Sequence, residues 1–260
     1  MTNPQHGTVR STDGTEIAYT RQGSGPALVM VHCVSTSRAR TPQPTLPAAL
    51  AEHFTVLTYD RRGTGQSGAG ATYAVEREFD DLRAVLALAE GPATVYGFSS
   101  GATLALLAAG AGVPIERLAL LEPPLFDQPD PTHALRDEAQ RRVDADLAEA
   151  QRWFNVEIVG VPEEVLAELP PLTDEDLSNT RTIVHELEFL PGTPAERFAG
   201  VTQPTLLVAS DQTAPEIHDY AEALEAALPA ATRVVLPGEW HGVDDATLTE
   251  AIVAFAGGAR

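Results

Sequence analysis

The chain has 260 residues, 43% of them hydrophobic, which is enough for one α/β domain with a sizeable core and an insertion of its own. Seventeen basic residues, all arginine, face 37 acidic ones, and a net charge of −20 repels nucleic-acid backbones and anionic membrane surfaces. The single cysteine, Cys33, excludes an intramolecular disulfide, and no Cys/His cluster has metal-ligand spacing, so no metal is expected.

Met1 to Asp13 is polar and carries neither a basic n-region nor an apolar h-region, so a cytoplasmic protein is the expectation. Strand signals follow at 15–20, 27–32, 54–59, 93–97, 115–121, 204–209 and 232–236, with helical stretches between most of them. Apolar strands with little alternation, interleaved with helices, predict a parallel sheet covered on both faces. The first strand, preceded by Asp13-Gly14, reads alternatively as an antiparallel edge.

Between the signal at 93–97 and an apolar helical stretch, Ala102 to Ala109, stands Gly97-Phe98-Ser99-Ser100-Gly101. A G-x-S-x-G at a strand-to-helix turn is a nucleophile elbow: the serine is held in a strained conformation, and only glycine fits on either side. Ser99 is therefore the candidate nucleophile; a plain Gly/Ser turn explains neither the strand before it nor the helix after it. The helical run itself is too short to cross a bilayer.

From Pro123 to about Gly200 the pattern changes to Pro-rich punctuation, dense charge and amphipathic helices near 132–152, 162–169 and 174–189, with no strand. This predicts a helical insertion, 123–200, on a core formed by 1–122 and 201–260. Insertions in this position can close over an active site and shape substrate choice. Its apolar positions, Trp153 and Phe154 foremost, are candidates for lining a pocket, because aromatic rings offer large contact area.

Four segments in order resemble the α/β-hydrolase family: Val29-Met30-Val31-His32-Cys33-Val34, Asp60-Arg61-Arg62-Gly63-Thr64-Gly65-Gln66-Ser67, the elbow itself, and Leu236-Pro237-Gly238-Glu239-Trp240-His241. The resemblance implies a mostly parallel central sheet flanked by helices, with a helical cap. It makes His241 the base that a serine hydroxyl needs at neutral pH. It also implies oxyanion donors at the amides of Val34 and Ser100, and reads the paired arginines 61 and 62 as structural rather than as an anion clamp.

Two positions depart from the family pattern. Where an acid usually stands three residues after a glycine, this chain has Ser210 and Thr213, with Asp211 two residues early. A subset of the fold supplies the acid from the preceding strand, and Leu121-Glu122-Pro123-Pro124 offers Glu122 there, so the third member is Glu122 or Asp211. Cys33 replaces the usual glycine of the oxyanion loop and reads as a small pocket-lining side chain or a second nucleophile. Phe98 is expected to pack beside the nucleophile, where it would contact substrate without reacting, and Arg38, near the pocket mouth, is placed to meet a substrate carboxylate.

The resulting expectation is a serine hydrolase acting on an ester, thioester or lactone of a small hydrophobic molecule, without cofactor, alone or as a homo-oligomer. A cofactor-free perhydrolase, a carbon–carbon hydrolase, and a non-acylating cyclase or binding protein remain alternatives. An aspartate-nucleophile enzyme is disfavoured by the serine at position 99.

Overall fold

The protein is described from a computed structural model covering residues 3–239 and 241–257. Its main strands are β1 (Gln5–Arg10), β2 (Glu16–Gly23), β3 (Ala27–Val31), β4 (Thr55–Tyr59), β5 (Ala93–Phe98), β6 (Arg117–Leu121), β7 (Thr205–Ser210) and β8 (Ala231–Leu236). They form one sheet in the order β1-β2-β4-β3-β5-β6-β7-β8. All pairings from β4 through β8 are parallel, as the unalternating apolar runs predict, while β1–β2 and β2–β4 are antiparallel.

The strand signalled at 15–20 is thus antiparallel but is not the edge. That place belongs to β1, whose residues are exposed or only half-buried and so carry no apolar signal. The two strands are joined through Asp13-Gly14, where Gly14 has φ +87° and the Asp13 carboxylate accepts from the Thr15 amide at 2.9 Å.

Before the insertion run helices α1 (Leu46–Leu50), α2 (Val75–Leu86) and α3 (Ser100–Gly110). The segment between β6 and β7 holds α4 (Ala134–Ala145), α5 (Leu147–Trp153), α6 (Glu163–Glu168), α7 (Asp174–Asn179) and α8 (Ile183–Phe189); α9 (Pro215–Ala227) and α10 (Asp245–Ala256) follow. One sheet face is covered by α2, α3 and α9 through residues such as Leu82, Leu106 and Leu224. The other is covered by α1 and α10 through Leu46, Leu50, Leu248 and Ile252. The central strands are buried on both sides, which explains their continuous apolar reading.

The insertion differs from its predicted helices in detail. The stretch expected at 132–152 breaks at Asp146, which is extended and caps α5 by accepting from the amides of Ala148 and Glu149. After Trp153 the chain continues as a six-residue π-helical turn, Phe154–Val159. The stretch at 174–189 is interrupted by a 3₁₀ turn, Thr180–Thr182. Ala139, Val143, Ala150, Phe154, Ile183 and Leu187 gather into an apolar cluster of their own, with the partly buried Val34 of the core against it. Among the described residues no helix is long and apolar enough to cross a membrane.

Candidate active site

Ser99 follows β5 with φ +52° and ψ −126°, a conformation forced on a non-glycine residue by the tight turn into α3. Its neighbours show why glycine flanks it. A Cβ on Gly97 would lie 2.5 Å from the Ala102 Cα, and one on Gly101 would lie 2.5 Å from the carbonyl oxygens of Val31 and His32. The strain is held in place by the Ser99 amide, which donates to the Leu121 carbonyl at 2.9 Å.

Ser99 Oγ stands 3.3 Å from His241 Nε2. His241 has φ +52° and sits at the tip of a two-stranded ribbon, β9 (Gly238–Glu239) with β10 (Gly242–Val243), which carried no strand signal in the sequence. The available signal was the glycine pair: a Cβ on Gly238 would lie 2.0 Å from the Gly242 carbonyl oxygen. Trp240, part of the motif quoted for this loop, lies outside the described residues. The imidazole face is steadied by Phe98, edge-on with ring centroids 5.4 Å apart.

On the other side of the imidazole, Nδ1 lies 2.5 Å from Glu122 Oε2. Glu122 is fully buried, with φ +49° just past the end of β6. Its Oε1 accepts from the Ser210 amide at 2.9 Å and the Ser210 hydroxyl at 2.7 Å, and its Oε2 also accepts from the Thr213 hydroxyl at 3.1 Å. The two residues that stand where glycine and acid were expected are therefore the donors that hold the carboxylate on the neighbouring strand. Burial alone would raise the Glu122 carboxyl, but the hydrogen bonds from His241 and from Ser210 outweigh it and keep the group below its ordinary value, ionised at neutral pH.

Asp211 is not at the imidazole. It is exposed, and its Oδ1 accepts from the Gly238 amide at 3.0 Å, so it supports the start of the ribbon. Val34 and Ser100 both line the cavity beside Ser99, but the Val34 amide donates to Ser100 Oγ at 3.0 Å.

The cavity over Ser99 has a volume of about 380 Å³. Leu125, Phe126 and Leu190 line one part of it and the helical turn contributes Phe154, Ile158 and Val159. Ile217 and Tyr220 of α9 also line it, with Glu216 and His241; among the described residues no arginine does. Phe154 is thus on the wall, whereas Trp153 is not: its ring turns into the insertion's own cluster and lies under the Arg142 guanidinium, 4.8 Å away. The two are adjacent in sequence, so consecutive helical positions point them in different directions.

Three further expectations about the cavity are corrected. Cys33 does not line it; its sulfur packs toward the core beside the Thr36 hydroxyl, and burial pushes the thiol up to about 11, which disfavours the thiolate. Phe98 is buried in the core and packs against the imidazole rather than lining the cavity. Arg38 is spent on Asp60 Oδ2 at 3.1 Å, Thr20 at 2.6 Å and Gln66 at 2.9 Å, and lines a separate groove.

The remaining charges of this turn are internal. Arg62 is fully buried and makes two 2.7 Å bonds to Asp81. Arg61 bonds Glu78 at 2.7 and 3.2 Å and also bonds Glu186 of α8, and all three side chains are buried. Among the described residues no cluster of side chains could hold a metal ion.

A model of the alpha/beta hydrolase family matches residues 28–255. An alpha/beta hydrolase of Sphaerobacter thermophilus superposes with a TM-score of 0.84 at 38% identity, covering 96% of this chain and 100% of that one. An esterase of Exiguobacterium antarcticum superposes with a TM-score of 0.75 at 22% identity over 97% of this chain and 100% of that one, a likeness of fold alone. The uncharacterized hydrolase YraK of Bacillus subtilis is 37% identical over 97 residues, 36% of this chain; the match spans 35% of that relative's length.

Proposed function

The chain belongs to the alpha/beta hydrolase family, and we propose that within it the protein is a serine hydrolase cleaving an ester, thioester or lactone of a small hydrophobic molecule through an acyl-enzyme. The observation that carries this reading is the unbroken line from Ser99 Oγ through both ring nitrogens of His241 to Glu122, at 3.3 and 2.5 Å.

In this reading Ser99 Oγ forms a bond to the substrate carbonyl carbon while its proton passes to His241 Nε2. Glu122 keeps the proton on Nδ1, so that Nε2 presents its lone pair, and it stabilises the imidazolium that results. The carbonyl oxygen takes the negative charge and is met by the Val34 and Ser100 amides. Collapse breaks the bond to the leaving oxygen or sulfur, which receives the proton from Nε2. Water then repeats the sequence on the acyl-enzyme, returning Ser99.

Residues 123–200 act as the cap in this account, closing the Ser99 cavity with Phe154, Ile158 and Val159. A wall of this kind gains affinity by burying ligand surface, and with no arginine among its described residues a charged acyl group finds no ion-pair partner on it. A series of p-nitrophenyl esters from acetate to decanoate, with a succinate half-ester as the charged control, tests the substrate class. The expected result is kcat/KM rising with chain length until the cavity is filled, with the charged ester poorest. A flat or falling series, or preference for the charged ester, overturns the apolar reading.

A further inference from the structure

The oxyanion loop is tied to the insertion at several places. The Ser35 amide donates to the Thr182 hydroxyl at 3.3 Å, the Ser37 hydroxyl donates to Glu175 at 2.5 Å, and Arg40 grips Asp176 at 2.9 and 2.7 Å. Deeper in, Glu186 of α8 is fully buried with one oxygen on Arg61, while its Oε2 has no well-formed hydrogen bond. The Ser100 hydroxyl lies beside this carboxyl without a formed hydrogen bond to it. That same hydroxyl is the acceptor of the Val34 amide, at 3.0 Å.

We propose that Ser100, through its side chain and with Glu186 behind it, is a positioning residue that holds the Val34 amide away from the substrate oxygen. The inference rests on the reading of Val34 and Ser100 as oxyanion donors. An amide carries one hydrogen, so the Val34 N–H that meets a developing oxyanion must first leave Ser100 Oγ. A hydroxyl whose proton turns toward a carboxyl is the better acceptor for it, because a polarised hydroxyl accepts more strongly. In this proposal the nearby Glu186, which shares Arg61 with Glu78, draws the Ser100 proton toward itself and so favours the competing bond from the cap side.

The loop does not depend on this bond for its shape. Apart from the ties to the insertion, the Thr36 hydroxyl donates to the Cys33 carbonyl at 2.7 Å, and the Arg38 amide donates to Asp60 at 2.7 Å. Removing the Ser100 hydroxyl thus deletes a competitor and leaves the loop in place.

The test is Ser100→Ala, Glu186→Gln and the double variant, each assayed on one p-nitrophenyl ester and with an alkyl boronic acid as tetrahedral inhibitor. Ser100→Ala is expected to raise kcat by about fivefold, the net worth of one neutral hydrogen bond, with KM little changed. The boronate inhibition constant should fall by a similar factor. Glu186→Gln should move both in the same direction by less, and the double variant should equal Ser100→Ala, since Glu186 acts through Ser100. A side chain with only a structural role gives losses, so an unchanged or lower kcat in Ser100→Ala overturns the proposal. If Glu186→Gln does not fold, Ser100→Ala and the boronate decide alone. Labelling of wild-type Ser99 by a fluorophosphonate, run in parallel, separates the two failures: labelling without a gain in Ser100→Ala sinks the positioning role alone, and absence of labelling sinks the hydrolase reading with it.

Discussion

The two walls of the Ser99 cavity are made in different ways. The core wall is a set of strand ends and turns whose candidate catalytic residues, Ser99, Glu122 and His241, all have positive φ and are fixed by contacts that leave no room for a Cβ at Gly97, Gly101 or Gly238. The insertion wall is a π-helical turn and the end of α8, resting on the core through polar ties such as Arg61–Glu186 and Arg40–Asp176. Residues of that insertion away from the cavity, Leu169 and Leu172 among them, remain exposed. The first wall is positioned by steric necessity and the second by hydrogen bonds and side-chain choice. Changes to the core wall should therefore abolish turnover, and changes to the insertion wall should redirect or retune it.

The largest effect tests the core wall. Ser99→Ala and His241→Ala should each lower kcat by on the order of 10⁶, and the double variant should be little worse than either, because the two groups act as one unit. Steady-state kinetics with circular dichroism to verify folding measures this. Additive losses would mean that the line from Ser99 to His241 is not a single device.

Next is the carboxylate. Glu122→Gln should lower kcat by roughly 10³ to 10⁴ with KM little changed, since an amide cannot hold the same tautomer. Asp211→Asn should cost little activity, because that side chain braces the Gly238 amide rather than the imidazole. The reverse ranking would contradict the role of Ser210 and Thr213 as holders of Glu122.

These two expectations also mark how much was legible in the sequence. Ser99 and its turn were legible because their constraint is local: two glycines, a strand and a helix within a few residues. The mostly parallel sheet was legible from apolar runs buried on both faces. The acid was left between Glu122 and Asp211 because the choice depends on which carboxylate three-dimensional neighbours support, and Ser210 and Thr213 reveal their purpose only across strands. Strand β1 and the ribbon around His241 were not legible: one is polar and the other is two residues a side. Trp153 and Phe154 were equivalent in composition, and only the turn of the helix separates them. Arg38 looked free near the pocket mouth because its partners Asp60 and Gln66 lie on another loop.

The insertion wall gives smaller effects. Phe154→Ala should enlarge the cavity and move the preferred acyl length upward, with kcat/KM for short esters falling about tenfold and catalysis of longer ones retained. Loss of activity on every ester would place Phe154 in the support of the chemistry instead.

The smallest effect is on stability. Burial pushes the Glu186 carboxyl up to about 7 from 4.5, with Arg61 opposing and Glu78 adding to the rise. Cys33 and Tyr73 also sense its charge. A carboxyl whose folded pKa is raised contributes stability that is complete below its unfolded value and is lost as pH rises through the folded one. Glu186→Gln should therefore gain in Tm relative to wild type as pH rises from 4.5 to 7. His32 and His185, both lowered by burial to about 4 from 6.5, act in the opposite sense, losing stability as pH falls, so the difference between variant and wild type is the quantity to measure. A constant Tm difference across that range would contradict the buried charge at the junction of the two walls.

In the proposed reaction Ser99 is a nucleophile activated by His241 and Glu122. Intact-mass spectrometry after incubation with a fluorophosphonate tests it most directly. One adduct per chain is expected, mapped to Ser99 by peptide analysis and lost in Ser99→Ala and His241→Ala. Absence of an adduct on the folded wild-type protein, or an adduct that persists in Ser99→Ala, would contradict it.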